Sequence, residues 1–173
     1  MVMAGCTTQA KKPMETVEFV DLPRFMGDWY VIASVPTFFD KEPYNAIERY
    51  ALNPDGTVAT TYLFRDGAAD GPRREMNAKA FIRDEESNAE WGMQFVWPIR
   101  ADYRIVYLDD DYDVTVIGRN RRDFVWIMAR TPTIPESKLT ELLWFVENLG
   151  YDRDDIRLVP QGAGEAAQQI PAG

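Results

Sequence analysis

About eight short runs of strand-forming residues follow one another through this chain, each ended by a turn signal, and that cadence restricts the fold more than any other feature. The runs fall near 28–34, 46–52, 57–65, 74–82, 89–97, 102–108, 112–118 and 123–130. Between them lie Asn53-Pro54-Asp55-Gly56, a longer turn from Gly67 to Pro72, a polar loop from Asp84 to Asn88, the acidic Asp109-Asp110-Asp111, and Arg119 to Arg122. Connections this short join antiparallel neighbours. The pattern therefore predicts an all-β fold, an eight-stranded antiparallel up-and-down barrel or, as its rival, a two-sheet sandwich.

One pair of residues points toward closure. Gly27 can turn the chain without a Cβ penalty, and Trp29 is the first large side chain of the alternating run that follows it. Arg130 ends the last run about a hundred residues later. Its guanidinium can lie across the Trp29 indole, a contact Lys does not reproduce.

The flanking segments read differently. Asp21-Leu22-Pro23-Arg24-Phe25-Met26 is a short helical turn, with Asp21 as its cap and Pro23 in the first turn. The longer apolar segment from Pro36 to Tyr44, with Phe38 and Phe39, is expected to cover or border an opening. After the last run comes one C-terminal helix, with Thr133 and Glu136 at capping-box spacing and Gly150 at its end. Leu139, Leu142, Leu143, Val146 and Leu149 form its apolar stripe, which is expected to pack on the outside of the sheet. The residues from 161 to 173 read as a flexible tail.

Composition excludes several functions. With a formal net charge of −9, the chain lacks the basic stripe that nucleic acid requires, and the arginine pairs at 73–74 and 121–122 read as solvated turn residues. There is no histidine, so the commonest general base and zinc ligand are missing, and no metal site is expected. The single Cys6 cannot form an internal disulfide. It stands in Ala4-Gly5-Cys6, which matches the end of a bacterial lipoprotein signal, without the charged and apolar regions that precede such a site. Residues 1–16 are accordingly read as a truncated signal end and a flexible tether, and 17–160 as the barrel with its helix.

Taken in order, these motifs resemble the lipocalin family. Gly27-Asp28-Trp29, preceded by a helical turn, matches the family's G-x-W motif. Leu108-Asp109-Asp110-Asp111-Tyr112 is similar to T-D-x-x-Y, with Leu where Thr is usual, and Arg130 followed by Thr131-Pro132 matches the third motif. The resemblance runs from about residue 18 to 160 and is nearest to the bacterial outer-membrane lipoprotein lipocalins, on the aromatic strand Asp123 to Arg130 and the Ala-Gly-Cys fragment. It implies a lipidated Cys6, a lipid anchor in the outer membrane on its periplasmic face, and Gly27, Trp29, Asp109, Tyr112 and Arg130 as structural signature residues. It also implies a cavity that binds or carries a small hydrophobic ligand, a fatty acid or lysophospholipid, with no cofactor. A homodimer is open to such a protein.

If Trp29 points inward, alternation assigns the lining. Phe124, Trp126 and Met128 face in on the last run, with Val125 and Ile127 outside beneath the helix. Val31 and Ala33, Tyr50, Thr60 and Tyr62, Phe81, Met93 and Phe95, Tyr103 and Ile105, and Thr115 and Ile117 join them from the other runs. Glu48 shares the inner face with Tyr50. Such a wall suits an acyl chain, although bulky side chains also fill small barrels. Two further functions stay open: a lipid-directed enzyme working through Glu48 or Tyr103, and a protein-docking scaffold using the Phe38-Phe39 loop.

Overall fold

Every expected run forms a strand in the computed structural model, which describes residues 12–162. A four-residue helix α1, Leu22–Phe25, precedes β1, Gly27–Ser34. Then come β2, Pro43–Leu52, β3, Val58–Asp66, β4, Arg73–Ile82, β5, Glu90–Val96, β6, Ile99–Leu108, β7, Val114–Gly118, and β8, Trp126–Ala129. The helix α2, Glu136–Asn148, follows, then a single 3₁₀ turn, Arg153–Asp155, and a two-residue strand β9, Arg157–Leu158, which the sequence pattern does not announce.

Successive strands pair antiparallel from β2 to β8, and β1 joins the two ends. Its first half pairs with β2, from Gly27 opposite Tyr50 to Tyr30 opposite Ile47, while β8 lies along its other side. The sheet is therefore a closed barrel and not a sandwich, and closure removes the edges that an open sheet leaves unpaired. Beyond Tyr30 the strands β1 and β2 diverge. There β9 takes the vacated side of Ala33 and Ser34, and Gln161 Nε2 donates to Val31 O at 2.8 Å and to Ala46 O at 3.0 Å, bridging the split.

Apolar side chains sort into two layers. One fills the lower barrel with Phe25, Trp29, Tyr50, Trp91, Tyr103 and Ile105. The other lies between the barrel wall and α2, where Leu139, Leu142, Leu143 and Val146 bury completely against Val125, Ile127 and Ile156. Each such side chain contributes roughly 1.5–3 kcal/mol on burial, so α2 is held by its stripe. The expected capping box does not form: Pro135 occupies the N-cap position and makes no side-chain cap bond. Gly150 does end the helix, at φ +96°.

Three peripheral expectations change. Within the expected tether Met14 is anchored to the barrel while Lys12 and Glu15 stay exposed: Met14 is buried over Gly118, where a Cβ would lie 2.6 Å from its sulfur, and its amide donates to Asn120 Oδ1 at 2.7 Å. The chain is also fastened as far as Gly162, whose amide reaches Asn45 Oδ1. Arg122 is a clamp, since its guanidinium donates to the carbonyls of Asn120, Leu149 and Lys12. Arg121, beside it, is solvated as expected. Cys6 and residues 163–173 lie outside the described residues.

The signature residues meet at one end of the barrel. Arg130 lies 3.8 Å over the Trp29 ring and donates to the carbonyls of Arg24, Phe25, Met26, Asp28 and Tyr112 at 2.8–3.3 Å. Phe25 O also accepts from Trp29 Nε1 at 2.8 Å. Gly27, at φ +99°, turns the chain beneath Arg130, whose nearest nitrogen is 3.4 Å from the place of a Cβ. Tyr112 accepts from Asp21 N through its hydroxyl and stacks under Arg24 at 4.0 Å, while Asp109 Oδ1 caps the amides of Asp113 and Val114. Replacing Arg130 with Ala orphans several of these carbonyls and is expected to cost on the order of 3 kcal/mol, seen as a fall of about 6–12 °C in melting temperature. Lys should not restore it. Unchanged melting with lost ligand binding would place Arg130 in the wrong role.

Candidate functional site

With β1 rising from the closed end, the connections after β1, β3, β5 and β7 all emerge at the other end, and there the barrel opens into a cavity of about 610 Å³. Its floor is the aromatic layer. Phe25 packs on Trp29 at 5.0 Å and edge-on to Trp91 at 5.6 Å, and Trp91 stacks on Tyr103 at 5.2 Å. The Tyr50 and Tyr103 hydroxyls share a hydrogen bond of 2.6 Å, and burial raises both phenols well above their ordinary pKa.

Most of the expected wall lines this space: Tyr50, Thr60, Tyr62, Met93, Phe95, Tyr103, Ile117, Phe124, Trp126 and Met128. Val31, Ile105 and Thr115 face the interior as expected but lie below or beside the cavity. Val31 and Ile105 belong to the floor packing, and Thr115 uses its hydroxyl on Tyr107 O at 2.8 Å. Two expectations are overturned. A bulge between Val31 and Ala33 resets the alternation of β1, so Ala33 pairs with Ile127 in the outer layer and Ser34 takes the inward place opposite Trp126. On β4 the inward series is Met76, Ala78, Ala80 and Ile82, so Phe81 faces out beneath the Arg100 guanidinium, 3.4 Å away. The small Ala80 stands opposite Met93 across the ladder.

Residues that the alternation did not single out complete the site. Thr37, Phe38, Phe39 and Asp40 fold over the mouth, as the apolar segment suggested, and Arg119 borders it from the connection after β7. Asp40 is the least expected of them. Only 2% exposed, it accepts from Tyr62 Oη at 2.9 Å and from the Thr37 amide at 2.8 Å, pinning the mouth segment to β3. Around the opening Phe38, Phe39, Phe95, Val96, Trp97 and Ile99 are all more than half exposed, two apolar groups at the connections after β1 and β5.

Glu48 stands on the inner wall, in register with Trp29 on one side and Tyr62 on the other. Its Oε2 is enclosed without a hydrogen-bond partner among the described residues, as is Thr60 Oγ1. Burial, reinforced by the negative charge of Asp40, pushes the Glu48 carboxyl up to about 8. At neutral pH it is mainly a neutral acid facing an apolar space.

Comparison with known proteins agrees with this geometry. A family model described as a lipocalin-like domain matches residues 20–161. Temperature-induced lipocalin-1 of Arabidopsis thaliana is 32% identical over 162 residues, 87% of this chain and 84% of that protein. The outer membrane lipoprotein Blc of Citrobacter freundii is 27% identical over 165 residues, 93% of this chain and 90% of its own. Among solved structures, insecticyanin from the tobacco hornworm Manduca sexta shares the fold with a TM-score of 0.67 at 15% identity, covering 91% of this chain and 88% of that one.

Glu48 also makes stability depend on pH. Unfolded, it ionises near 4.5; folded, near 8, so between these values the unfolded chain loses a proton that the folded chain keeps. Rising pH therefore favours unfolding through this group across that window. Glu48→Gln removes the effect, and its melting temperature should gain on wild type from pH 5 to pH 8.5. Wild type gaining on the variant instead would mean an ionised, paired Glu48.

Proposed function

This chain belongs to the lipocalin-like family, and on that basis we propose that it binds and carries an elongated hydrophobic ligand, a fatty acid or lysophospholipid, as a non-enzymatic lipid carrier. The observation that carries this reading is the cavity itself: about 610 Å³, walled by Met93, Phe95, Ile117, Phe124, Trp126 and Met128, and open at one end. A volume in this range suits a small ligand, and each buried methylene gains roughly 0.8 kcal/mol. The aromatic floor bounds the depth. Trp29 and Arg130 belong to that closure and not to ligand contact.

The exposed rim supports loading from a lipid surface, since Phe38, Phe39, Val96 and Ile99 both line the mouth and face outward. Lipidation of Cys6 and residence on the periplasmic face of a bacterial outer membrane are part of the same proposal. They are supported by the Ala4-Gly5-Cys6 fragment and by the likeness to an outer membrane lipoprotein. The intact mass of protein extracted from its own membrane reports the anchor directly.

Titration of delipidated protein with a fluorescent acyl probe tests the carrier reading. Saturable binding is expected, with the probe displaced by a fatty acid or a lysophospholipid and accompanied by a change in Trp126 fluorescence. No saturable displacement by either class would sink the proposal.

A further inference from the structure

The cavity's charged lining residues differ in how fully their own neighbours satisfy them. Asp40 accepts from Tyr62 and from Thr37. Asp102 receives Arg104 at 3.2 Å and the Asn120 amide at 2.7 Å, and Arg119 faces Asp123 at 3.4 Å. Two of them keep an enclosed polar atom with no hydrogen-bond partner among the described residues: Arg119 its Nε, a donor, and Glu48 its Oε2, an acceptor on the inner wall. Thr60, on the next inward-facing pair of the same two strands and 4% exposed, presents a second unmatched oxygen, Oγ1.

These two atoms share one wall and one space. Glu48 pairs across the ladder with Tyr62, and Thr60 with Tyr50, so the four inward side chains form a block on β2 and β3, and all four line the cavity. The facing wall, Ile117, Trp126 and Met128, is apolar apart from the indole edge. An enclosed acceptor left unmatched is destabilising, and a donor arriving with the ligand relieves it.

We infer that the β2–β3 wall is a subsite for a hydrogen-bond donor, a hydroxyl or an ammonium group, carried within an otherwise apolar ligand and received by Glu48 Oε2 and Thr60 Oγ1. A carboxylate at that position would lie against the negative charge of Asp40 and would bring no donor to either unmatched oxygen. An anionic head group belongs instead at the mouth, where Arg119 is the one cation among the described lining residues. This inference rests on the carrier reading and narrows its ligand class: alcohols, hydroxylated chains and long-chain amines over simple carboxylates.

Displacement of N-phenyl-1-naphthylamine at neutral pH by dodecanol, dodecylamine and dodecanoate separates the possibilities. Dodecanol and dodecylamine are expected to compete about tenfold more strongly than dodecanoate, a difference of about 1.4 kcal/mol. Glu48→Leu should level the three while keeping affinity for the chain. Glu48→Gln, which keeps an acceptor but no ionisable group, should remove the amine advantage and retain that of the alcohol. Equal or stronger binding of dodecanoate by wild type, or an order unchanged in Glu48→Leu, overturns the subsite alone. Failure of every amphiphile to displace the probe overturns the carrier reading instead.

Discussion

The structure depends on β1 being shared. Its lower half closes the barrel against β2, its other side carries β8, and its upper end turns outward to meet β9, so one eight-residue strand serves three partners. What fixes its position is the contact between Arg130 and Trp29, because the guanidinium that covers the indole also collects the carbonyls by which α1 leads into β1. A planar cation with several donors can do both at once. The closed floor, and hence the opening at the far end, follows from that anchoring.

Above the floor the cavity divides into two characters. One wall is hydrocarbon and aromatic ring, and the other carries Glu48, Thr60, Tyr62 and Asp40. Burial of Glu48 beside Asp40 costs stability that a tightly filled core would not, and the surrounding fold tolerates it. The floor beneath it is better matched, with Tyr50 on Tyr103, Trp29 on Phe25 O and Trp91 on Asn88 O, and higher up Tyr62 on Asp40.

Much of this was legible before any coordinates. Turn chemistry located the strands, the Leu139–Val146 stripe located the helix that covers the barrel, and the parity of β8 correctly divided Phe124, Trp126 and Met128 from Val125 and Ile127. Parity failed where its premise failed. A bulge inserted one residue into β1, which sent Ala33 outward. On β4 alternation was phased one residue off: Phe81 was expected inward, yet Arg100 supplies that ring with an outside partner, and the inward places belong to Met76, Ala78, Ala80 and Ile82. Asp40 was invisible because a loop residue has no period to read.

The order of motifs along the chain by itself determined an antiparallel all-β fold with one covering helix, since local alternation and turn residues act through neighbouring residues. Only the tertiary structure decided that the sheet closes into a barrel over an open space, that β9 and Gln161 seal the split in β1, and that Glu48 faces that space without a donor among the described residues. Those are properties of how eight strands are tilted and filled together. They depend on side chains far apart in sequence meeting across the interior, which no single strand's pattern records.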